Sequence, residues 1–397
     1  AFSHKTVSLA AYAGQQIKIR FADAYQLNGG SVCECTADGW HFDNVALVNT
    51  QEAGTPTVGA TVANPSFSFT PSAAGTYAID VRPEYSNPTD DGVFSQSTQV
   101  TASGGGGTTP TVVGLIDNAG NAYVKSGTIS SAFAKVAANA TAISVASDAT
   151  HGSIVGVIAN GGIAYVRIGN GAFVKEASSA TGISVSTDAT NGPVIGVIAN
   201  GGIAYVKQGS LTAAWVKEAS STTAISVGTD ATHGTVLGLI ANGGLAYVKQ
   251  GALTSAFTKE ASNATAISVG SDATHGAIIG LIANSGIAYV KQGTPASAFV
   301  KEASGATAIG VASDATNNAI VGVVANGGTV YAKQGSLTAA WVKEASNASA
   351  VSAASDPTSG LLLGAIANGT SIYVKQASLT TAWAKQVNAG TAISVGG

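Results

Sequence analysis

From residue 111 onward, short apolar and polar blocks alternate, and the blocks recur. An aliphatic residue in Ala-Ile-Ser-Val-like strings stands at Ile143, Ile183, Ile225, Ile267, Ile309, Val351 and Ile393. A tyrosine recurs at Tyr123, Tyr165, Tyr205, Tyr247, Tyr289, Tyr331 and Tyr373. A second aromatic recurs at Phe133, Phe173, Trp215, Phe257, Phe299, Trp341 and Trp383. The first marker is spaced by 40 residues once and then by 42 five times. Residues 224–260 show one unit. Ala224 to Gly228 alternates as a half-buried strand does, and Asp230 to Gly234 reads as a turn. Thr235 to Ala241 is a mostly apolar second strand. Asn242-Gly-Gly is a hairpin signal, because Asn and Gly tolerate positive φ. Leu245 to Lys249 and Ala256 to Glu260 give two more strands. No helical 3.6-residue period appears. Four short strands in about 42 residues is the signature of a β-propeller blade.

The order of the markers predicts how the array ends. The region opens on a strand of the second type, Thr111 to Asp117, and finishes on one of the first type, Thr391 to Val395. In a closed ring these two defects cancel, because the last strand completes the first blade. An open solenoid would call for polar capping repeats instead. The expected fold is therefore all-β: a seven-bladed β-propeller closed by its C-terminal strand.

Three strings carry a family resemblance: Ala-Ile-Ser-Val-Gly-Thr-Asp, Gly-Leu-Ile-Ala-Asn-Gly-Gly-Leu-Ala-Tyr-Val-Lys and Ala-Trp-Val-Lys-Glu. They resemble blades of tachylectin-2/tectonin-type propellers over residues 111–397, in pattern more than in identity. The resemblance implies a secreted, sugar- or surface-binding role. The chain is poorer in Trp than that family, so its sugar sites do not transfer residue by residue.

Before residue 103 the sequence has another character. Strands are expected at Lys5 to Ala11, Gln16 to Ala22, Trp40 to Asn49, Thr57 to Ala63, Ser66 to Phe69, Thr76 to Val81 and Phe94 to Thr101. Gly39 to Val45, following Leu9 to Phe21, resembles the last half of a MAM-like or immune-inhibitor-type jelly roll. Phe69 to Tyr77 resembles the end of an Ig-like or PKD-like domain. Residues 1–102 are read as a β-sandwich region, residues 103–110 as a Gly/Thr linker and residues 111–397 as the propeller. Half a jelly roll would leave a strand edge for a partner chain, so self-association through this region is expected.

Composition narrows the function. Only 10% of the 397 residues are charged, against 45% apolar, and the net charge is −3. That balance speaks against disorder, and the absence of a basic cluster removes the electrostatic footprint of nucleic-acid binding. No apolar run approaches the roughly 20 residues of a membrane span. Cys33 and Cys35 are too few for a disulfide framework or a four-ligand zinc site. The Ala1 start without methionine suggests a processed product.

Candidate chemistry follows the repeats. All fourteen propeller aromatics occupy the two repeated positions, which reads as inter-blade core. A sugar platform would have to reuse a ring such as Trp215, Trp341 or Trp383. Lys-Glu recurs in five repeats, and its residues are expected to pair across blades or strands. The lysine closing the third strand (Lys125, Lys207, Lys249 and their equivalents, with Arg167) reads as a solvated charge. Asp148, Asp188, Asp230, Asp272, Asp314 and Asp356 fit Asx-type turns, or alternatively a carboxylate ring holding a hydrated cation. His151, His233 and His275 share one place in that turn. Asp38 and Asp43 are candidates for a structural calcium, with no other cofactor expected. Asn139, Asn263, Asn347 and Asn368 open Asn-X-Ser/Thr sequons. No Ser/His/Asp set, HExxH or phosphate loop appears, and the blades scarcely break symmetry, so no enzyme is expected.

The expectation is a secreted or cell-surface, non-enzymatic binding module with multivalent, lectin-like recognition of glycans or surface polysaccharide. Its contact residues are expected at the Asn-Gly-Gly hairpins and adjoining connections: Asn200, Asn242, Asn284 and Asn326, with Glu218 and Glu260. The alternatives are a self-assembling surface or filament protein, or the C-terminal targeting region of a processed secreted peptidase.

Overall fold

The structure, a computed structural model, describes residues 109–397 except 189–190, 231–233, 273–275, 315–318 and 357–359, together with the backbone of seven strands before residue 103. The chain divides into two compact units, Ala1–Thr108 and Thr109–Gly397.

In the first unit, five strands form one sheet in the order Val7–Ser8, Thr98–Ala102, Gly75–Pro83, Phe42–Asn49, Thr57–Ala60. Ile17–Arg20 pairs with Ser66–Phe69 separately. The Cys33, Cys35 and Asp38 expectations lie outside the described residues. Asp43 falls on the backbone of Phe42–Asn49.

The second unit is a seven-bladed propeller, each blade a four-stranded antiparallel sheet. Blade 4 is representative, with Thr222–Asp230 innermost, then Gly234–Ala241, Leu245–Gln250 and Thr258–Ala261 outermost. Inner strands of successive blades pack on one another around the ring, and Gly390–Gly396 joins the last to the first. That C-terminal strand pairs antiparallel with Thr111–Asp117, with Ile393 opposite Leu115. Ring closure therefore follows the order of the sequence markers.

Three contacts between blades explain the repeat. The second strand is buried on both faces, as Gly192–Ala199 shows along nearly its whole length, which is why it reads as an unbroken apolar run. Its central glycine admits the next blade: a Cβ on Gly238 would sit 2.7 Å from Ile267 Cδ1 and 2.8 Å from Val269 Cγ1. The inner strand alternates with period two. Its Ile and Val face the preceding blade, and its serine faces the following one. Ser144 Oγ accepts from Val185 N at 3.0 Å, Ser184 Oγ from Val227 N at 3.0 Å and Ser226 Oγ from Val269 N at 3.0 Å. Ser268, Ser352 and Ser394 repeat this bond to Val311, Val395 and Val145. The serines thus cap N–H groups on the open edges of the inner strands. Only blade 6 lacks one, because Gly310 stands there.

The third contact is ionic. Lys207 Nζ lies 2.5 Å from Glu176 Oε2, Lys249 from Glu218 at 2.5 Å, Lys291 from Glu260 at 2.5 Å and Lys333 from Glu302 at 2.5 Å, and Lys375 pairs with Glu344. Each pair joins the third strand of one blade to the outer strand of the blade before it. The lysines are 1–3% exposed. These side chains are thus core, not the solvated charges expected of them. The glutamates do pair across blades, but with the third-strand lysine. Each Nζ also donates to a carbonyl four residues on, as Lys249 does to Leu253 O, and faces an aromatic ring, 4.8 Å from the Trp215 centroid for Lys207.

Candidate functional site

Two kinds of loop meet on one rim of the propeller. The turn between second and third strands holds an asparagine in the left-handed region: φ is 49° at Asn200, 51° at Asn242, 50° at Asn284 and 49° at Asn326. Asn160 and Asn368 repeat it with φ of 50° and 51°. A short polar side chain is among the few that tolerate this conformation outside glycine, and all six are exposed. Each turn is laced to the connections joining the blades. Asn242 N donates to Ser221 O at 3.0 Å, and Ala264 N to Gly244 O at 2.8 Å. The amides are therefore presented from turns fixed on both sides.

The turn asparagine has a partner that the repeat pattern alone did not single out. Asn368 Nδ2 donates to the Tyr373 hydroxyl at 3.2 Å, and Asn326 Nδ2 to the Tyr331 hydroxyl at 3.5 Å. The Tyr331 ring packs against the core between blades 5 and 6, as expected, while its oxygen reaches the rim. The bond from Asn368 draws the Tyr373 phenol below its ordinary pKa. Asn-x-x-x-x-Tyr recurs at fixed spacing in six blades, and that was the signal available in the sequence. Blade 1 departs: there Asp117 Oδ1 accepts from Ala119 N at 2.9 Å and Asn121 N at 2.8 Å.

The other expected contact residues lie elsewhere. Glu218 and Glu260 have side chains 3% and 4% exposed and are bound to Lys249 and Lys291. They are removed from the contact surface expected for them, because each is the anionic half of an inter-blade pair. Burial pushes both carboxyls above their ordinary values, against the pull of the lysines, and the second oxygen of each is buried with no hydrogen-bond partner. Trp215, Trp341 and Trp383 are partly buried against inter-blade cores. They lie 4.8, 4.8 and 5.2 Å from the lysine ammonium groups, so one face of each ring meets a cation. Trp383 Nε1 also donates to Glu344 at 3.0 Å.

Among the described residues, the Asx bond is seen in the turns at Asp148 and Asp188. Asp148 Oδ1 accepts from Thr150 N at 2.8 Å, and Asp188 Oδ1 from Asn191 N at 2.9 Å. The second oxygen of Asp188, Asp230, Asp314 and Asp356 takes a glutamine amide from the third strand of the same blade. His151 is engaged with Asp148 at 2.8 Å, while His233 and His275 lie outside the described residues. Among the described residues no three His, Cys, Asp or Glu side chains stand together as metal ligands.

No family model matches the sequence, and no curated protein matches it. Solved structures do resemble the fold. A crystal structure of BP39L lectin from Burkholderia pseudomallei superposes with a TM-score of 0.55 at 14% identity, covering 71% of this chain and 96% of that one. BBS1N, solved in complex with ARL6DN, superposes with a TM-score of 0.50 at 13% identity, covering 70% of this chain and 90% of that one. At these identities the likeness is one of fold.

Proposed function

We propose that this chain is a non-enzymatic, multivalent carbohydrate-binding protein of lectin-like type, secreted or held at a cell surface, whose propeller recognises glycans or surface polysaccharide. The observation that carries the reading is the rim of six exposed turn asparagines, each held in one fixed backbone conformation. A side-chain amide offers donor and acceptor together, the complement of vicinal sugar hydroxyls, and the tyrosine hydroxyl at blades 6 and 7 adds a further group beside it. The likeness to a Burkholderia lectin propeller supports the same reading. Single sites of this size bind weakly, and repetition around the ring raises avidity by about 10²–10⁴ on a repetitive surface. The pairing of Gly75–Pro83 with Phe42–Asn49 and with Thr98–Ala102 supports reading residues 1–102 as a β-sandwich region that could present the propeller or associate with a second chain. Asp38 and Asp43 are retained as proposed calcium ligands, tested by calcium-dependent melting of residues 1–102 within the full chain.

The test is a glycan array with the intact chain, followed by Asn200→Gly, Asn242→Gly, Asn284→Gly and Asn326→Gly, singly and together. Glycine keeps the left-handed turn and removes the amide. Each single change should weaken binding slightly, and the fourfold variant should lose most of it. Undiminished binding by a folded fourfold variant would refute the assignment of the site.

A further inference from the structure

The seven junctions between blades are not all alike. At six of them the third-strand cation is a lysine, and at five a glutamate on the preceding blade neutralises it. The junction between blades 7 and 1 substitutes Gln386, whose Oε1 accepts from Lys125. The junction between blades 1 and 2 departs in three respects together. The cation is Arg167. The residue matching the glutamate is Val136, since Lys135 pairs with Tyr123 as Lys175 does with Tyr165. The following loop is two residues shorter: Phe173 stands six residues after Arg167, where the other aromatics stand eight after their lysine. That deletion takes away the residue whose carbonyl caps each lysine, as Leu211 caps Lys207.

The result is a cation stripped of both customary partners. Among the described residues the Arg167 guanidinium makes no hydrogen bond and no ion pair, and its Nε is buried and unsatisfied. Its Cζ lies 5.0 Å from the Phe173 centroid. A ring this close steadies the cation without accepting a hydrogen bond in the plane of its N–H donors. The equivalent lysines are 1–3% exposed, whereas Arg167 is only half-buried, and beside it Asn170 and Gly171 are exposed. Desolvation lowers the guanidinium pKa from its ordinary value, the mark of a cation lacking the anion its setting favours. Three linked departures at one junction, in a chain that otherwise repeats, set this place apart.

We propose that the junction between blades 1 and 2 binds the carboxylate of an acidic sugar, with Arg167 as its bidentate partner. The fold supplies the template. Five sister junctions place a carboxylate against the same cation position, and Val136 stops short of where those glutamates deliver theirs. The guanidinium fork matches a carboxylate edge to edge, which a lysine does not. That the carboxylate is carried by a sugar rests on the lectin-like reading; the anion site itself does not. It is a single site per propeller, distinct from the repeated rim.

The test uses the full chain, labelled with ¹⁵N. The chain has three arginines, Arg20, Arg82 and Arg167, so few Nε–Hε signals need assigning. Methyl β-D-glucuronide and methyl β-D-glucoside are titrated into the protein in phosphate-free buffer. The glucuronide should shift the Arg167 Nε–Hε signal with one site per chain and bind at least tenfold more tightly than the glucoside. Val136→Glu supplies the internal carboxylate of the sister junctions and should abolish that shift while the fold is retained. Arg167→Leu should abolish binding as well. The proposal is overturned if the two sugars bind alike, or if Val136→Glu leaves glucuronide affinity unchanged. Failure of the intact chain to bind neutral glycans on the array, or undiminished binding by the fourfold asparagine variant, would instead count against the rim, leaving the anion site to be judged by these titrations.

Discussion

Removing one inter-blade carboxylate tests the reading of the ionic junctions. Glu218→Ala leaves Lys249, 3% exposed, with Leu253 O as its remaining polar partner. A surface pair would contribute about 0–1 kcal/mol, but stranding one member of a buried pair costs about 3–5 kcal/mol. The propeller unit spans Thr109–Gly397. At about 2.1 cal/mol/K per residue, its roughly 290 residues unfold with an entropy near 0.6 kcal/mol/K, so Tm should fall by about 5–8 °C. Glu218→Gln should cost roughly half as much, since it rebuilds the arrangement that Gln386 and Lys125 already form. Removing both charges with Glu218→Leu and Lys249→Met should recover most of the loss, because an apolar pair of similar volume needs no counter-ion. Thermal melts followed by near-UV circular dichroism measure all three. A Glu218→Ala melt within 1 °C of the parent, or a double variant no better than the single, would refute the reasoning.

Other outcomes are expected on the same grounds. Burial lowers the Lys125 pKa from 10.5 to about 8. Between those values the unfolded chain binds more protons than the native one, so stability should rise with pH across that window. Lys125→Met should abolish that rise in urea titrations at successive pH values. Gly238→Ala drives a Cβ to 2.7 Å from Ile267 and should cost about 1–3 kcal/mol by overpacking, read as a lower urea midpoint. Ser226→Ala uncaps Val269 N and should cost about 1–3 kcal/mol, with faster amide exchange at Val269 as its specific sign.

Period and spacing exposed the blades because each strand's position dictates its composition. A second strand buried on both faces must be apolar, a turn at positive φ selects Asn or Gly, and an inner strand packed between two neighbours alternates large with small. The markers at Ile143 to Ile393 gave the ring its number and its closing strand. The burial of Lys249 was not legible in this way. A lysine at a strand end reads as a solvent-facing charge until the facing Glu218, 31 residues earlier, is placed on the adjacent blade. The same gap put Glu218 and Glu260 among the contact residues and left Trp215 as a prospective platform, when its face meets Lys207. Arg167 was visible as a departure from lysine. What it faces became visible only once Val136 was aligned with the glutamates across a junction that sequence order does not reveal.

The pairing of Gly390–Gly396 with Thr111–Asp117 also sets a timetable for synthesis. The first blade, ending at Ala137, emerges from the ribosome with an unfilled inner edge and must wait for roughly 250 further residues before Gly390–Gly396 exists. Loop-closure entropy makes such distant pairing slow. Until then the first blade and the newest one each expose an unmated flank, and Thr111–Asp117 offers a free edge on which any stray strand, including that of a neighbouring nascent chain, could dock. Productive folding of this ring should thus favour well-spaced polysomes and low expression temperature. Proteins caught before the last seven-residue strand is delivered would be expected to exchange strands between copies.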